Sequence, residues 1–204
     1  MLFFMFMIIN QDYVIRMIKI WLYLFLAFLL VYSYIGQYIS RKYGAKIVGW
    51  PTAIRSKDYT LFLLAIPQTV LILDTVMVLY NMNYGGTLVL IGFIIMITGM
   101  GFNFIVRTNL GKNWVPLAKT TDGQELVTEG IYSKVRHPFY LSILILFLGI
   151  TIISSNLYGL LFLILTLISL IVRIKKEETE LIAKFGEEYK KYKKETPMII
   201  PHLI

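Results

Sequence analysis

Two short stretches carry the residue types that can hold a polar ligand: "GIYSKVRHPFY" at 130–140 and "RIKKEETEL" at 173–181. In the first, Pro138 suits the opening turn of a helix, where its missing N–H has no partner to lose. The donors of that turn and the positive end of the helix dipole then point back at the loop before it. Such a place can receive a carboxylate or another electron-rich group. Tyr132 and Tyr140 can stack or hydrogen-bond, and His137 can donate from its ring. In the second stretch Arg173 and Glu177 are four apart, hence neighbours on one helix face that Leu181 continues. An arginine there can clamp a substrate carboxylate, and a glutamate can hold a ligand ammonium. Each stretch also has a plainer reading. Arg136, His137 and the tyrosines can simply anchor a membrane edge in an aromatic belt. Arg173 and Glu177 can be a surface ion pair, worth roughly a few tenths of a kcal/mol.

The elements that must position these groups are set by an apolar composition. Of 204 residues 57% are hydrophobic, above the roughly half that a soluble domain of this length can hide. The chain reads as an all-α, polytopic transmembrane helical bundle. It has no cysteine, which excludes disulfides, thiol nucleophiles and thiolate metal sites. His137 and His202 lie far apart, so no metal cluster is expected. The net charge of +8 is uneven: eight of the twenty Lys and Arg fall between Arg173 and Lys194. In a membrane protein that points to topology and anionic headgroups rather than nucleic acid.

Crossing a hydrocarbon core takes about 20 helical residues. The first such run is Ile20 to Ile39. The segment before it is too short in its apolar part to cross alone and lacks the small-residue cleavage site of a signal sequence. Met17 is therefore an alternative start. Further spans are expected over Tyr59 to Tyr80, with Pro67 inside and Asp74 near the end, and over Gly85 to Val106. Asp74 reads as a capping or snorkelling carboxylate rather than part of a transport path. "GMGFNF" at 99–104 reads as helix packing at small residues, not as a nucleotide turn. After Pro138, the runs Phe139 to Ile153 and Leu157 to Val172 flank "SSN" and suggest a tight antiparallel hairpin. Beyond Arg173 a charged helix is expected to end near Pro197. Its stripe of Ile182, Phe185, Tyr189 and Tyr192 resembles an amphipathic interfacial helix.

About five spans result. Residues 41–58 and 107–137 hold five Lys and Arg each and the tail holds eight, whereas 81–84 and 154–156 hold none. The positive-inside rule places the three basic segments, and "RHPFY" with them, in the cytoplasm. The organisation expected is one integrated membrane domain. Residues 1–106 supply N-terminal spans, and 107–204 supply a catalytic region of cytoplasmic loop, helical hairpin and charged tail, with a cytoplasmic cofactor-binding cap.

"GIYSKVRHPFY", a hydrophobic hairpin, then "RIKKEETELIAKFGEEYKKYKKETPMIIP" together resemble the C-terminal half of the isoprenylcysteine carboxyl methyltransferase family. The resemblance covers roughly Leu126 to Pro201. It implies an integral membrane enzyme that moves a methyl group from S-adenosylmethionine to the carboxylate of a prenylated cysteine. The implied cofactor residues are Gln124, Glu125, Leu126, Val127, Tyr132, His137, Pro138, Phe139, Tyr140 and Glu177, and the implied substrate-facing residue is Arg173. Gln124 stands where the family often has His, and Leu141 and Ser142 follow Tyr140 where a Gly is common.

The chemistry suits a site poor in acid–base groups. A carboxylate is already ionised at neutral pH, so catalysis reduces to alignment and exclusion of water. A lipid-amine N-methyltransferase is the alternative, and would need a home for a proton, such as Glu125, Glu129 or His137. A nicotinamide-using membrane reductase and a non-enzymatic transporter or scaffold are further alternatives.

Overall fold

The computed structural model describes residues 2–43, 58–81, 86–114, 118, 120 and 122–200, with side chains from Lys19 onward. Among them are six α-helices: α1 (Leu2–Lys42), α2 (Tyr59–Asn81), α3 (Thr87–Leu110), α4 (Pro138–Ser154), α5 (Leu157–Phe185) and α6 (Glu187–Glu195). There is no strand among the described residues. Four segments are long and apolar enough to cross a membrane: Lys19–Lys42, Tyr59–Asn81, Thr87–Asn113 and Leu157–Phe185. The fifth expected span, α4, is apolar but has only 17 residues. The basic loop over 44–57 and the link at 82–84 lie outside the described residues.

Two expected boundaries change. The N-terminal segment continues the first span, because α1 is one unbroken helix of 41 residues. Span three runs on to Leu110, which puts Arg107 in the last turn of α3 rather than at the start of a loop. A cation there also complements the negative end of the helix dipole.

The hairpin forms as expected, and local chemistry sets its turn. Ser155 adopts a left-handed conformation that stops α4. Asn156 then caps α5, its side-chain oxygen accepting from the Gly159 amide at 2.7 Å. Asp74 of α2 accepts from the Ser154 hydroxyl and from Asn156 Nδ2 at 3.0 Å. Asp74 is thus a clasp on the hairpin turn.

α4 lies chiefly on α3, and α5 on α2. Glycines permit the first of these contacts. A Cβ on Gly149 would stand 2.6 Å from the Gly92 carbonyl, and one on Gly99 would stand 2.5 Å from the Leu146 amide nitrogen. The backbones therefore nearly touch, as small residues allow between helices in a membrane. Gly101, on the other side of α3, faces open space.

The 29 residues of α5 rise about 43 Å. That exceeds the roughly 30 Å hydrocarbon core, so its last turns carry Arg173 and Glu177 clear of the apolar run. Gly186, at φ +56°, then breaks the tail. The stripe expected on one continuous helix is therefore divided. Tyr189 and Tyr192 are buried on α6 instead of lying in an interface with lipid.

Candidate active site

A cavity of about 300 Å³ opens where the last turns of α3 and α5 meet the start of α4 and the loop before it. Of the eleven residues singled out from the sequence, ten line it: Gln124, Glu125, Leu126, Val127, Tyr132, His137, Phe139, Tyr140, Arg173 and Glu177. The eleventh, Pro138, is buried at the first turn of α4 and does not line the cavity. Leu61 and Leu64 of α2 and Ile143 of α4 add apolar wall.

Tyr140 joins the two tail residues. Its hydroxyl donates to Glu177 Oε2 at 2.6 Å and accepts from Arg173 Nε at 3.1 Å. Arg173 and Glu177 share a face as their spacing requires, but the link runs through a phenol from another helix. The surface-pair reading of Arg173 fails, because its side chain is 5% exposed.

Arg173 Nη1 donates to Thr60 Oγ1 at 2.8 Å and to Asp58 Oδ2 at 3.3 Å. Asp58 is fully buried and also receives Lys176 Nζ at 2.9 Å, the Thr60 hydroxyl at 2.6 Å and the Ala118 amide at 3.0 Å. Burial alone would raise its carboxyl. The bonds from Thr60, Lys176 and Ala118 and the charge of Arg173 outweigh that and hold it well below the usual carboxylate range.

Beside this lies a second buried knot. Glu178 receives Arg136 Nε at 3.0 Å and Lys193 Nζ at 2.6 Å, with His137 Nε2 at 3.2 Å. Arg136 Nη1 also donates to the carbonyls of Lys193, at 2.8 Å, and of Thr196. The amides of Arg136 and His137 donate to the Pro197 and Met198 carbonyls, both at 2.9 Å. Arg136 and His137 are therefore neither an exposed anchor nor idle. They bind the tail over the entrance to α4. Tyr192 completes the tie by donating its hydroxyl to the Tyr132 carbonyl at 2.5 Å. Burial pushes the phenols of Tyr132, Tyr189 and Tyr192 well above the usual tyrosine range, with the Glu177 charge adding to it at Tyr132.

On the facing wall, Asn113 holds the cofactor-type segment. Its Oδ1 accepts from the Glu125 amide at 2.9 Å, and its carbonyl accepts from Gln124 Nε2 at 3.3 Å. Arg107 also lines the cavity. The carbon of its guanidinium lies 4.7 Å from the Trp114 ring centroid and 5.1 Å from that of Phe139. Sequence reasoning singled out none of Asp58, Arg107, Asn113 or Glu178. Asp58 and Asn113 sat in polar stretches, Arg107 at a helix end and Glu178 in a charged run, with no short-range mark of burial.

Residues 90–183 match the model of the isoprenylcysteine carboxyl methyltransferase (ICMT) family. Over that segment the chain is similar to this family. The matched segment runs from α3 through the loop and hairpin to beyond Glu178, so it contains every residue singled out from the sequence. Among curated relatives, protein-S-isoprenylcysteine O-methyltransferase of Schizosaccharomyces pombe is 35% identical over 104 residues, half of this chain and 40% of the relative. Methanethiol S-methyltransferase 1 of Bradyrhizobium diazoefficiens is 39% identical over 71 residues, 35% of this chain and 24% of the relative. The chain thus spans well under half the length of these relatives. A solved structure of the eukaryotic intramembrane Ras methyltransferase ICMT superposes with a TM-score of 0.51 at 24% identity, covering 76% of this chain and 54% of that one. That likeness concerns the fold.

Proposed function

We propose that this chain is an integral membrane methyltransferase that uses S-adenosylmethionine to methylate the carboxylate of an isoprenylcysteine-type lipid substrate. The observation that carries the reading is the Glu177–Tyr140–Arg173 chain on the wall of a cavity that collects the family-type residues. The named relatives and the ICMT match support the same reading.

The residues present fit the cofactor. About 300 Å³ is within the range of small-molecule sites. Glu177 offers a carboxylate to an ammonium, and Tyr132, Phe139 and Tyr140 offer aromatic surface. Gln124, Glu125, Leu126 and Val127 would flank the cofactor across the cavity, with His137 at the foot of α4 and Pro138 shaping that turn. When bound, S-adenosylmethionine supplies a methyl group on a sulfonium, and an ionised carboxylate can accept it with no proton to remove. Arg173, held by Tyr140, Thr60 and Asp58, would orient the acceptor. The closed tail would exclude water.

Residues 107–204 would form the catalytic unit and 1–106 the supporting spans, although Asp58, Leu61 and Leu64 reach across that division. The basic loops would face the cytoplasm, and the acceptor would enter sideways from the bilayer.

The test is transfer of label from S-adenosylmethionine to a small prenylcysteine acid by purified protein, beside Glu177→Ala and Arg173→Ala. A base-labile ester that disappears in both variants is the expected result. A second reading, a thiol acceptor, is favoured by the likeness to methanethiol S-methyltransferases. It would appear as a base-stable thioether and would require a proton acceptor. A base-stable product on a lipid amine would instead select the N-methyltransferase alternative, and failure to bind cofactor would sink all three.

A further inference from the structure

Three arginines line the cavity, and their charges are not equally spent. Arg136 is paired with buried Glu178, and Arg173 with buried Asp58. Arg107 has no carboxylate partner among the described residues. Its guanidinium rests on Trp114 and Phe139, with the Tyr32 hydroxyl beside it as a hydrogen-bond partner, and its Nε is buried without an acceptor. Gly36 of α1 makes the approach possible, since a Cβ there would stand 3.0 Å from Arg107 Nη1. Among the described residues Arg107 is thus a cation with no carboxylate beside it, stacked and oriented on two aromatic rings at the cavity wall. A donor left unsatisfied in such a place costs stability unless a ligand completes it.

We propose that Arg107 contacts the carboxylate of the acceptor, working with Arg173, and so selects an anionic acceptor over neutral or cationic ones. The proposal rests on the function above and names a specificity-determining residue for it. Glu177 is the lining carboxylate directly bonded to Tyr140, and it matches the ammonium of the cofactor. Arg107 stands in the last turn of α3, beside Gly36 of α1, and lines the same cavity as Arg173 and Glu177. Its planar fork suits a carboxylate, and its aromatic bed holds the fork in place. An acceptor amine would meet this charge as repulsion, which disfavours the lipid-amine alternative.

The full chain in lipid nanodiscs is tested as wild type, Arg107→Met and Arg107→Lys. Binding is measured for a prenylcysteine acid, for its carboxamide, and for S-adenosylhomocysteine alone. The wild type is expected to prefer the acid by about tenfold or more. In Arg107→Met that preference is expected to fall to within about twofold, with S-adenosylhomocysteine affinity unchanged. A merely structural role would weaken acid and amide together. An acid preference that survives Arg107→Met overturns the proposal. So does a loss of S-adenosylhomocysteine affinity in step with the acid, which would give Arg107 to the cofactor. If Arg107→Met does not fold, Arg107→Lys decides: weaker acid binding with unchanged amide binding supports the proposal, and no change in either overturns it. These readouts need no turnover. A wild type that separates acid from amide but transfers no methyl would refute the proposed function, not the anion contact.

Discussion

At the residue scale the site is a set of shared carboxylates and one shared phenol. Tyr140 bonds to both Arg173 and Glu177, so Tyr140→Phe removes two bonds to charged groups at once. Such bonds are worth about 1.5–3 kcal/mol each. We expect kcat/KM to fall roughly 100-fold or more, with an unchanged circular dichroism spectrum. Asp58→Asn keeps the shape but removes the charge that faces Arg173 and Lys176. It is expected to lower the thermal midpoint and raise KM for the acceptor, while S-adenosylhomocysteine affinity holds. Equal losses in acceptor and cofactor binding would show that Asp58 acts only on the fold. The Arg173–Glu177 register was legible because a helical period brings i and i+4 together. Asp58 was not, because apart from Thr60 the partners named for it stand 60 residues or more away at Ala118, Arg173 and Lys176. No local pattern encodes a pairing of that range.

Element boundaries follow from punctuation that a sequence carries openly. Pro138 opens α4, as its residue type suggested, whereas "SSN" was read only as a break and its Asn156 proves to cap α5. Gly186 was visible as a residue but not as a break, since a glycine inside a helical pattern can also be tolerated. The close approach of α3 and α4 was legible only in part: "GMG" suggested packing, yet Gly99 packs and Gly101 does not. Gly149→Ala would press a methyl against the Gly92 carbonyl and the Met96 amide, each 2.6 Å away. Overpacking of this kind costs typically about 1–3 kcal/mol. A lower melting temperature in detergent is expected for Gly149→Ala, and none for Gly101→Ala.

For the whole molecule, the absence of cysteine makes orientation directly measurable. Single cysteines replacing Lys191 on α6 and Tyr158 at the hairpin turn are expected to react with an impermeant maleimide from opposite sides, Lys191→Cys from the cytoplasm. The buried tyrosines set a second global property. Where a folded-state pKa is raised, the unfolded chain releases its proton first, so stability falls once pH rises past the ordinary tyrosine value of about 10. Tyr132, Tyr189 and Tyr192 all move that way. The thermal midpoint is therefore expected to drop steeply above about pH 10, and less steeply in Tyr189→Phe. Composition made the membrane class legible, and hydropathy made its spans so. Closure of the site by the tail was hidden, because backbone bonds from Arg136 and His137 to Pro197 and Met198 leave no mark on residue type. Those bonds also impose an order on synthesis. All four long apolar segments and α4 are made before residue 186, yet two amides at the foot of α4 find their acceptors only once Met198 has left the ribosome. The spans are thus made before the tail can close over α4, and a chain stopped after Glu195 is expected to reach the membrane with its helices intact and bind no S-adenosylhomocysteine.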